Sequence, residues 1–135
     1  MAIVPTLAGE IQILDLIVAN LGALTLRLYS NDYLPTSTST LGSFTTCSFA
    51  GYSDQTLTNS DWNPAEESPD GNAQKHATTV STFTATGTGT IEGYLLFTTG
   101  NVVLCAEQFS EPQTVSNGHG FAMRPKLCLA SCASC

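Results

Sequence analysis

The sequence contains few charged residues and very few basic ones. Charged residues make up 11% of the 135 positions, with four Lys and Arg against eleven Asp and Glu. Phosphate neutralisation needs clustered basic side chains, so scattered ones argue against nucleic acid and against an anionic membrane surface. Low charge with 42% apolar residues favours a folded core over a disordered chain, and the length fits one domain. The basic residues are Arg27, Lys75, Arg124 and Lys126.

The beginning of the sequence also lacks the pattern of a signal or a membrane span. No basic residue precedes its first apolar run, and Glu10 and Asp15 interrupt that run. A secretory signal needs a basic start, and a spanning helix needs about 20 apolar residues in succession. We therefore expect no secretion signal and no membrane partner.

Residues 1–22 are predicted to form an N-terminal helix or arm. Apolar residues recur at spacings of three and four, and Gly22 is a suitable stop. Ile13, Leu16 and Ile17 widen the apolar surface, so we expect more than one face to be covered. The helix then either packs in its own core or docks on a neighbouring subunit. The possible inter-subunit contacts are Ile11, Leu14, Val18 and Leu21.

After the helix the patterns are those of short strands. The segment LTLRLYS (24–30) alternates apolar and polar residues, and FTTCSFAGYS (44–53) is predicted to be a strand broken at Gly51. Residues 78–100 are predicted to contain two strands separated by the Thr/Gly run Thr86–Thr90. In the second of these strands, one face is expected to carry Ile91, Leu95 and Phe97.

The remaining segments predict one surface loop and two further strands. Residues 59–76 are polar and turn-rich, which favours a surface loop, and we expect its Trp62 to fold back onto the domain. NVVLCAEQF (101–109) is predicted to be a hairpin strand. FAMRPKLCLA (121–130) is predicted to be a single last strand with Pro125 at an edge or bulge.

These elements predict a mainly β fold, an antiparallel β-sandwich of jelly-roll-like type with an N-terminal helix or arm. The predicted divisions are a helix or arm at 1–22, a sandwich domain at 23–129 and a Cys-rich tail at 130–135. The expected core residues of the sandwich are Leu24, Leu26, Leu28, Phe83, Ile91, Leu95, Phe97 and Phe109.

Three of the five cysteines cluster at the end of the sequence. Cys128, Cys132 and Cys135 form a C-x3-C-x2-C pattern, the spacing with which radical-SAM enzymes hold an iron–sulfur cluster. In those enzymes the cysteines follow an early barrel strand, whereas here they follow a mainly β domain. A motif without its structural context is a false match, so we reject the cluster enzyme.

Zinc and disulfides are the other interpretations of these cysteines. The three terminal thiolates with Cys47, Cys105 or His119 could complete a tetrahedral zinc shell, but no second ligand doublet is present. Cys47 and Cys105 lie in strand patterns and suit small core residues. We therefore predict no metal and no cofactor. Possible disulfides involving Cys128, Cys132 and Cys135 are favoured over free thiols and over zinc.

Carboxylates and histidines give only a weak case for an enzyme. Glu92, Glu107 and Glu111 lie in or near strands, and paired carboxylates can hydrolyse glycosides. Carboxylates at strand ends are more often plain solvated groups. His76 and His119 lie in polar, turn-rich stretches, and no nucleophile elbow accompanies them. The prediction is that the protein is not an enzyme.

Four motifs in order resemble small virion proteins of tailed bacteriophages. They are LTLRLYSND, TTCSFAGYSDQTL, STFTATGTGTIEGYLLF and LCAEQFSEP, and the resemblance extends from about Ile3 to Leu129. The family pattern ends in a Trp-Ala-Glu-x-Phe strand. Here the corresponding residues run from Cys105 to Phe109, with cysteine in place of tryptophan, and the terminal cysteine cluster also departs from the pattern.

The resemblance implies a structural role, that of a capsid decoration or cement protein stabilising the head lattice. It implies a β-sandwich on the capsid surface of the virion, assembled in the host cytoplasm, with the major capsid protein as partner and a homotrimer as the expected state.

Two alternatives come from other classes of protein. The first is a phage tail or baseplate β-module that binds a host surface glycan, which copy number per particle would distinguish from a decoration protein. The second is a small cell-wall glycosidase, which would need Glu92 or Glu107 to face another carboxylate across a cleft.

Overall fold

The computed structural model describes residues 6–129, so the predicted tail 130–135, with Cys132 and Cys135, lies outside the described residues. The predicted mainly β architecture with an N-terminal helix is confirmed, since one helix is followed by antiparallel sheets. The helix and strands are α1 Leu7–Leu21, β1 Ala23–Tyr29, β2 Gln55–Thr58, β3 Glu66–Glu67, β4 Ala73–His76, β5 Ser81–Thr84, β6 Gly89–Thr98, β7 Val103–Val115, β8 Gly120–Met123 and β9 Lys126–Leu129.

The strands form three antiparallel groups in a sandwich-like arrangement. The largest sheet has the order β2-β1-β6-β7, a second has the order β3-β4-β9, and β5 pairs with β8. The helix α1 packs on the three-stranded sheet. Leu14 of α1, Leu26 of β1 and Leu127 of β9 belong to one apolar cluster, the main core, which therefore joins these layers.

The helix ends before Gly22, as the sequence predicts, and it begins at Leu7 within the predicted segment 1–22. Thr6 is the N-cap, and its hydroxyl oxygen accepts a hydrogen bond from the Gly9 amide at 3.1 Å, which satisfies one of the free donors of the first turn. Gly22 follows the last turn with a φ of 75°, a left-handed conformation that costs glycine little.

The strand β6 is buried on both faces. Tyr94 and Leu96 belong to the main core, whereas Leu95 and Phe97 belong to a second cluster with Tyr29 of β1. Seven of the eight expected core residues are buried, and Phe109 is half-buried against the main core. Those residues therefore lie in two clusters on opposite sides of the sheet, and not in one.

A break in the pairing of β6 with β7 explains why Ile91 does not share a face with Leu95 and Phe97. Ile91 lies opposite Gln113, but Gly93 lies opposite Gln108, so two steps along β6 correspond to five along β7. Pro112 lies in the extra stretch, where it removes no ladder hydrogen bond. Ile91 belongs to the main core. The prediction that it shares a face with the other two apolar residues was wrong because the bulge reverses the alternation.

The segment 44–53 is not the predicted strand. It follows a single 3-10 turn, Leu41–Ser43, and pairs only through an isolated bridge between Thr46 and Tyr29. Phe44 packs in the second cluster, while Cys47 and Phe49 pack in the main core. Its alternating side chains therefore reach both clusters, and the segment covers the sheet instead of extending it.

Residues 59–76 were predicted to be a surface loop, and this prediction was wrong. They contain β3 and β4, and Ala73 is fully buried beneath α1 and beside β9. Trp62 is buried in the main core, as expected. The polar composition was misleading because Gln74 and Lys75 are buried with polar partners in this layer.

The predicted last strand divides into two. β8 ends at Met123, and β9 begins at Lys126 after the buried Pro125. β8 pairs with β5, and β9 pairs with β4. Proline cannot donate to a strand ladder, so the chain changes sheets at this position.

Candidate interaction surfaces

The inner face of α1 packs within its own chain. Leu14 is 3% exposed and Val18 is equally buried, both in the main core, with Ile11 and Leu21 half-buried against it. Leu14 and Val18 therefore cannot contact another subunit, and the prediction was wrong for these two. The reason is the sheet beneath the helix, which the sequence did not reveal. For Ile11 and Leu21 the contact stays a prediction.

An ion pair fixes which face of α1 points inward. The Asp15 Oδ1 atom lies 2.5 Å from the Nζ atom of Lys75, which is 5% exposed on β4, and it also accepts from the Ala65 amide at 2.9 Å. The Lys75 hydrogen bond lowers the pKa of the Asp15 carboxyl below its ordinary value, against a smaller opposing effect of burial. Rotation of the helix would leave the Lys75 ammonium buried without its counter-charge.

The outer face of α1 is apolar and exposed. Leu16 is 53% exposed and Ile13 nearly as much, and Ile17 beside them is half-buried. A shallow groove of about 340 Å³ is lined by these three residues with Asn20 and Leu21. The signal for this face was present in the sequence, since Ile13, Leu16 and Ile17 widen the apolar surface, but two of the four predicted contact residues, Leu14 and Val18, lie on the opposite face.

The turn between β6 and β7 forms a second apolar surface. Val102 is 60% exposed, and Leu104, two residues along, is also exposed. Leu104 is the extra residue where the pairing shifts between Leu96–Cys105 and Phe97–Val103. Such a bulge re-aims a side chain.

This turn is tightly held. The Thr98 amide donates to the Val102 carbonyl, and the Asn101 amide donates to the Thr98 carbonyl, each at 2.9 Å. Asn101 has a φ of 64°, which asparagine tolerates in a turn. Because Leu24 pairs with Thr98, the turn lies at the end of the sheet where α1 enters β1.

The carboxylates considered for catalysis lie near the sheet surface. Glu107 accepts a hydrogen bond from the Tyr94 hydroxyl at 3.1 Å, and Glu111 is exposed on β7. Glu92 lies at the pairing break of β6 and is half-buried. Burial, aided by the negative charges of Glu92 and Glu107, raises the pKa of the Tyr29 hydroxyl to about 12. Glu92 and Glu107 therefore both raise the pKa of the same buried tyrosine.

The described cysteines lie on three segments: Cys47 in the connection after β1, Cys105 on β7 and Cys128 on β9. The Cys47 thiol donates to the Thr90 carbonyl at 3.7 Å, and burial raises its pKa to about 12, so at neutral pH it is not the thiolate that zinc needs. The Cys105 thiol donates to the Lys126 carbonyl at 3.9 Å. Cys128 is half-buried in β9.

The other groups proposed for a metal site are also placed apart from one another. His119 lies in an exposed turn with its Nδ1 atom 3.1 Å from the Ser116 hydroxyl. Within residues 6–129, no three His, Cys, Asp or Glu side chains are grouped so that they could hold a metal ion. The terminal disulfides stay a prediction, because Cys132 and Cys135 lie outside the described residues.

Comparison of the chain with protein-family models, with curated proteins and with solved structures finds no match. Between residues 6 and 129, no helix combines the length and the apolar character needed to cross a membrane. The features of the chain that bear on its function are therefore the two apolar surfaces and the motifs of the sequence.

Proposed function

We propose that this protein is a structural component of a tailed-phage particle, a decoration or cement protein that binds the major capsid protein on the head surface, and that it has no catalytic role. The observation that carries the proposal is the grouping of exposed apolar side chains at two places, the outer face of α1 and the β6–β7 turn.

A group of exposed apolar residues is stronger evidence for a contact site than a single exposed apolar residue. Single exposed apolar residues are normal on a soluble protein, whereas adjoining ones mark contact sites. Ile13 and Leu16 are one turn apart on α1, and Val102 and Leu104 flank one position of the hairpin. A chain with two such surfaces is suited to an assembly in which each contacts a different neighbour.

The β6–β7 turn suits the contact with the capsid. Its backbone is held by hydrogen bonds across the turn, so its apolar tip is presented with little loss of conformational entropy on binding. A pre-formed hairpin of this kind can insert its Val102 and Leu104 side chains between the subunits of a lattice.

The charge of the chain suits the outside of a head. With a net charge of −7, the protein is repelled by packaged DNA and needs a protein partner. The exposed carboxylates include Glu66, Glu67 and Asp70 of the three-stranded sheet and its turn, the sheet on which α1 packs.

The test is re-binding to particles that lack the protein. Purified protein is added to such particles, and the bound fraction is measured by sedimentation. A Val102→Ser, Leu104→Ser double variant should lose at least about 10-fold in affinity, since two apolar contacts are removed. The matched control is Leu34→Ser, an exposed leucine in a loop outside both surfaces.

Three outcomes would contradict the proposal. One is equal binding by the double variant and the control. Another is the absence of binding by the natural protein. The third is a location in few copies at the tail by electron microscopy of particles, which would favour the glycan-binding tail module instead.

A further inference from the structure

We propose that Thr98, the last residue of β6, is the positioning residue of the β6–β7 turn, because it fixes the direction in which the exposed Val102 side chain meets a partner. The partner is taken to be the capsid protein, so this step rests on the proposed function. The state of the turn itself is a property of the free protein and can be measured without particles.

Both backbone polar groups of Val102 are bonded to Thr98. The Val102 amide donates to the Thr98 Oγ1 atom at 3.2 Å, and the Thr98 amide donates to the Val102 carbonyl at 2.9 Å. These two bonds lie on either side of the Val102 Cα atom, so they restrain both of its soft backbone dihedral angles. They therefore set the direction of the Val102 side chain, which is 60% exposed.

The three residues between Thr98 and Val102 depend on the same anchor. They are Thr99, Gly100 and Asn101. A three-residue hairpin loop is commonly a turn followed by a residue in the left-handed conformation, and here Asn101 has a φ of 64°. The Asn101 amide donates to the Thr98 carbonyl at 2.9 Å. Thr98 thus takes part in three hydrogen bonds that close the turn, through its amide, its carbonyl and its hydroxyl oxygen.

The Thr98 side chain is itself held by the sheet. Thr98 is 9% exposed and lies opposite Leu24 of β1, which is buried in the main core. Side chains directly opposite each other in an antiparallel pair lie on the same face. A β-branched side chain has few rotamers there. The hydroxyl is therefore an acceptor in a fixed place, and it connects the exposed tip to the buried part of the sheet.

Loss of this hydroxyl should change both the turn and the binding. One hydrogen bond contributes a net amount equivalent to about a 3- to 10-fold change in an equilibrium constant. Local opening of an exposed turn costs little free energy, so a change of this size populates other arrangements of Val102. A partner that fits one arrangement then binds with an affinity reduced by the fraction of molecules that have it.

The first measurement is amide hydrogen exchange of the free protein by NMR. Thr98→Val keeps the branched shape and loses the hydroxyl, whereas Thr98→Ser keeps the hydroxyl. In Thr98→Val the Val102 amide should exchange about 5-fold faster, with the Leu96 amide in the middle of the sheet unchanged. Thr98→Ser should exchange like the natural protein. Thr90→Val, at an exposed threonine near the other end of β6, is the matched control and should also be unchanged.

The second measurement is re-binding of the same variants to particles that lack the protein. Thr98→Val should bind roughly 3-fold more weakly than the natural protein, because a smaller fraction of its molecules has the turn preformed. Thr98→Ser and Thr90→Val should bind with the natural affinity. Recovery with serine separates the role of the hydroxyl from that of the buried methyl group.

The outcomes distinguish this role from the proposed function. An unchanged Val102 exchange rate in Thr98→Val overturns the anchoring role. Equal acceleration at Val102 and Leu96 overturns it as well, since that result shows a loss of global stability. Faster local exchange with natural affinity for particles overturns the positioning role. If the natural protein binds no particles, the proposed function is contradicted, whereas the exchange rates still decide whether Thr98 fixes the turn.

Discussion

The strand β6 and the helix α1 are both apolar on two faces, yet only β6 has both faces covered. Leu95 and Leu96 point to opposite sides of the sheet and are both fully buried. On α1, Leu14 is buried and Leu16 is more than half exposed. An apolar pattern thus predicts which faces of an element tend to be buried. The rest of the chain determines whether residues of the same chain bury them.

The difference follows from the positions of the two elements. β6 lies between β1 and β7, and its outer face is covered by the connection after β1, whose Phe44 ring lies 4.9 Å from that of Tyr29. The Arg27 guanidinium stacks 4.7 Å from the centre of the Phe97 ring and completes this cover. The helix α1 is an outer layer with a sheet on one side.

The largest expected effect tests the cover of β6. A Cβ atom added at Gly93 would clash with the backbone carbonyl of Glu107 and with the phenol of the fully buried Tyr29. Gly93→Ala is expected to lower the free energy of unfolding by more than about 4 kcal/mol, because neither group can move away. Gly42→Ala is the control, since its added Cβ meets nothing closer than 3.8 Å. Urea denaturation measures both, and equal stability of the two variants would refute the close packing.

The next prediction compares the two faces of α1 directly. Leu14→Ala should cost about 2–4 kcal/mol of folding free energy, because it leaves a cavity in the main core. Leu16→Ala, the same change two residues away, should stay within about 0.5 kcal/mol in the monomer. Thermal and urea unfolding at low protein concentration measure the difference. Similar losses for both variants would mean that the helix is rotated.

A smaller effect concerns the ion pair that orients α1. Asp15→Asn should cost about 1–2 kcal/mol, a reduced value because the Asp15 side chain is 42% exposed. Asp70→Asn, in the exposed turn between β3 and β4, is the matched control and should cost less than about 0.5 kcal/mol.

The same pair predicts a direction of pH dependence. Lys75 lowers the pKa of Asp15 in the folded chain below its ordinary value of 3.8. The unfolded chain therefore binds the proton more readily, and the contribution is fully present above that value. It is lost as the pH falls through the lower pKa of the folded chain. Unfolding curves of the natural chain and Asp15→Asn should converge in acid, and a constant difference would contradict the assignment.

The smallest effects are expected at the carboxylates near β6. Glu107→Gln keeps a side-chain oxygen for the Tyr94 hydroxyl, so stability should change by less than about 0.5 kcal/mol. Glu92→Gln should change the stability by a similarly small amount. Particle infectivity is expected to match that of the natural protein for both. A wall-degrading activity that either substitution abolishes would show that the protein is an enzyme.

Much of the fold was predictable because local patterns carry it. The apolar spacing of three and four and the Gly22 stop indicate the helix, and the alternation of Leu24, Leu26 and Leu28 gives β1 its buried face. Segments whose burial depends on distant partners were not predictable. Lys75 and Gln74 read as solvent-exposed, and only α1 above them and β9 beside them make their burial possible.

The sequence by itself determined the mainly β class, the helix and its two apolar faces, because these depend on residue spacing along the chain. Only the tertiary structure decided that Leu14 faces inward and Leu16 outward, because that choice depends on Lys75, sixty residues from its partner Asp15. The same holds for β6, where a break in the pairing with β7 places Ile91 and Leu95 in different clusters. Residue spacing determines which faces of an element are apolar, and long-range packing determines which residues each face contacts.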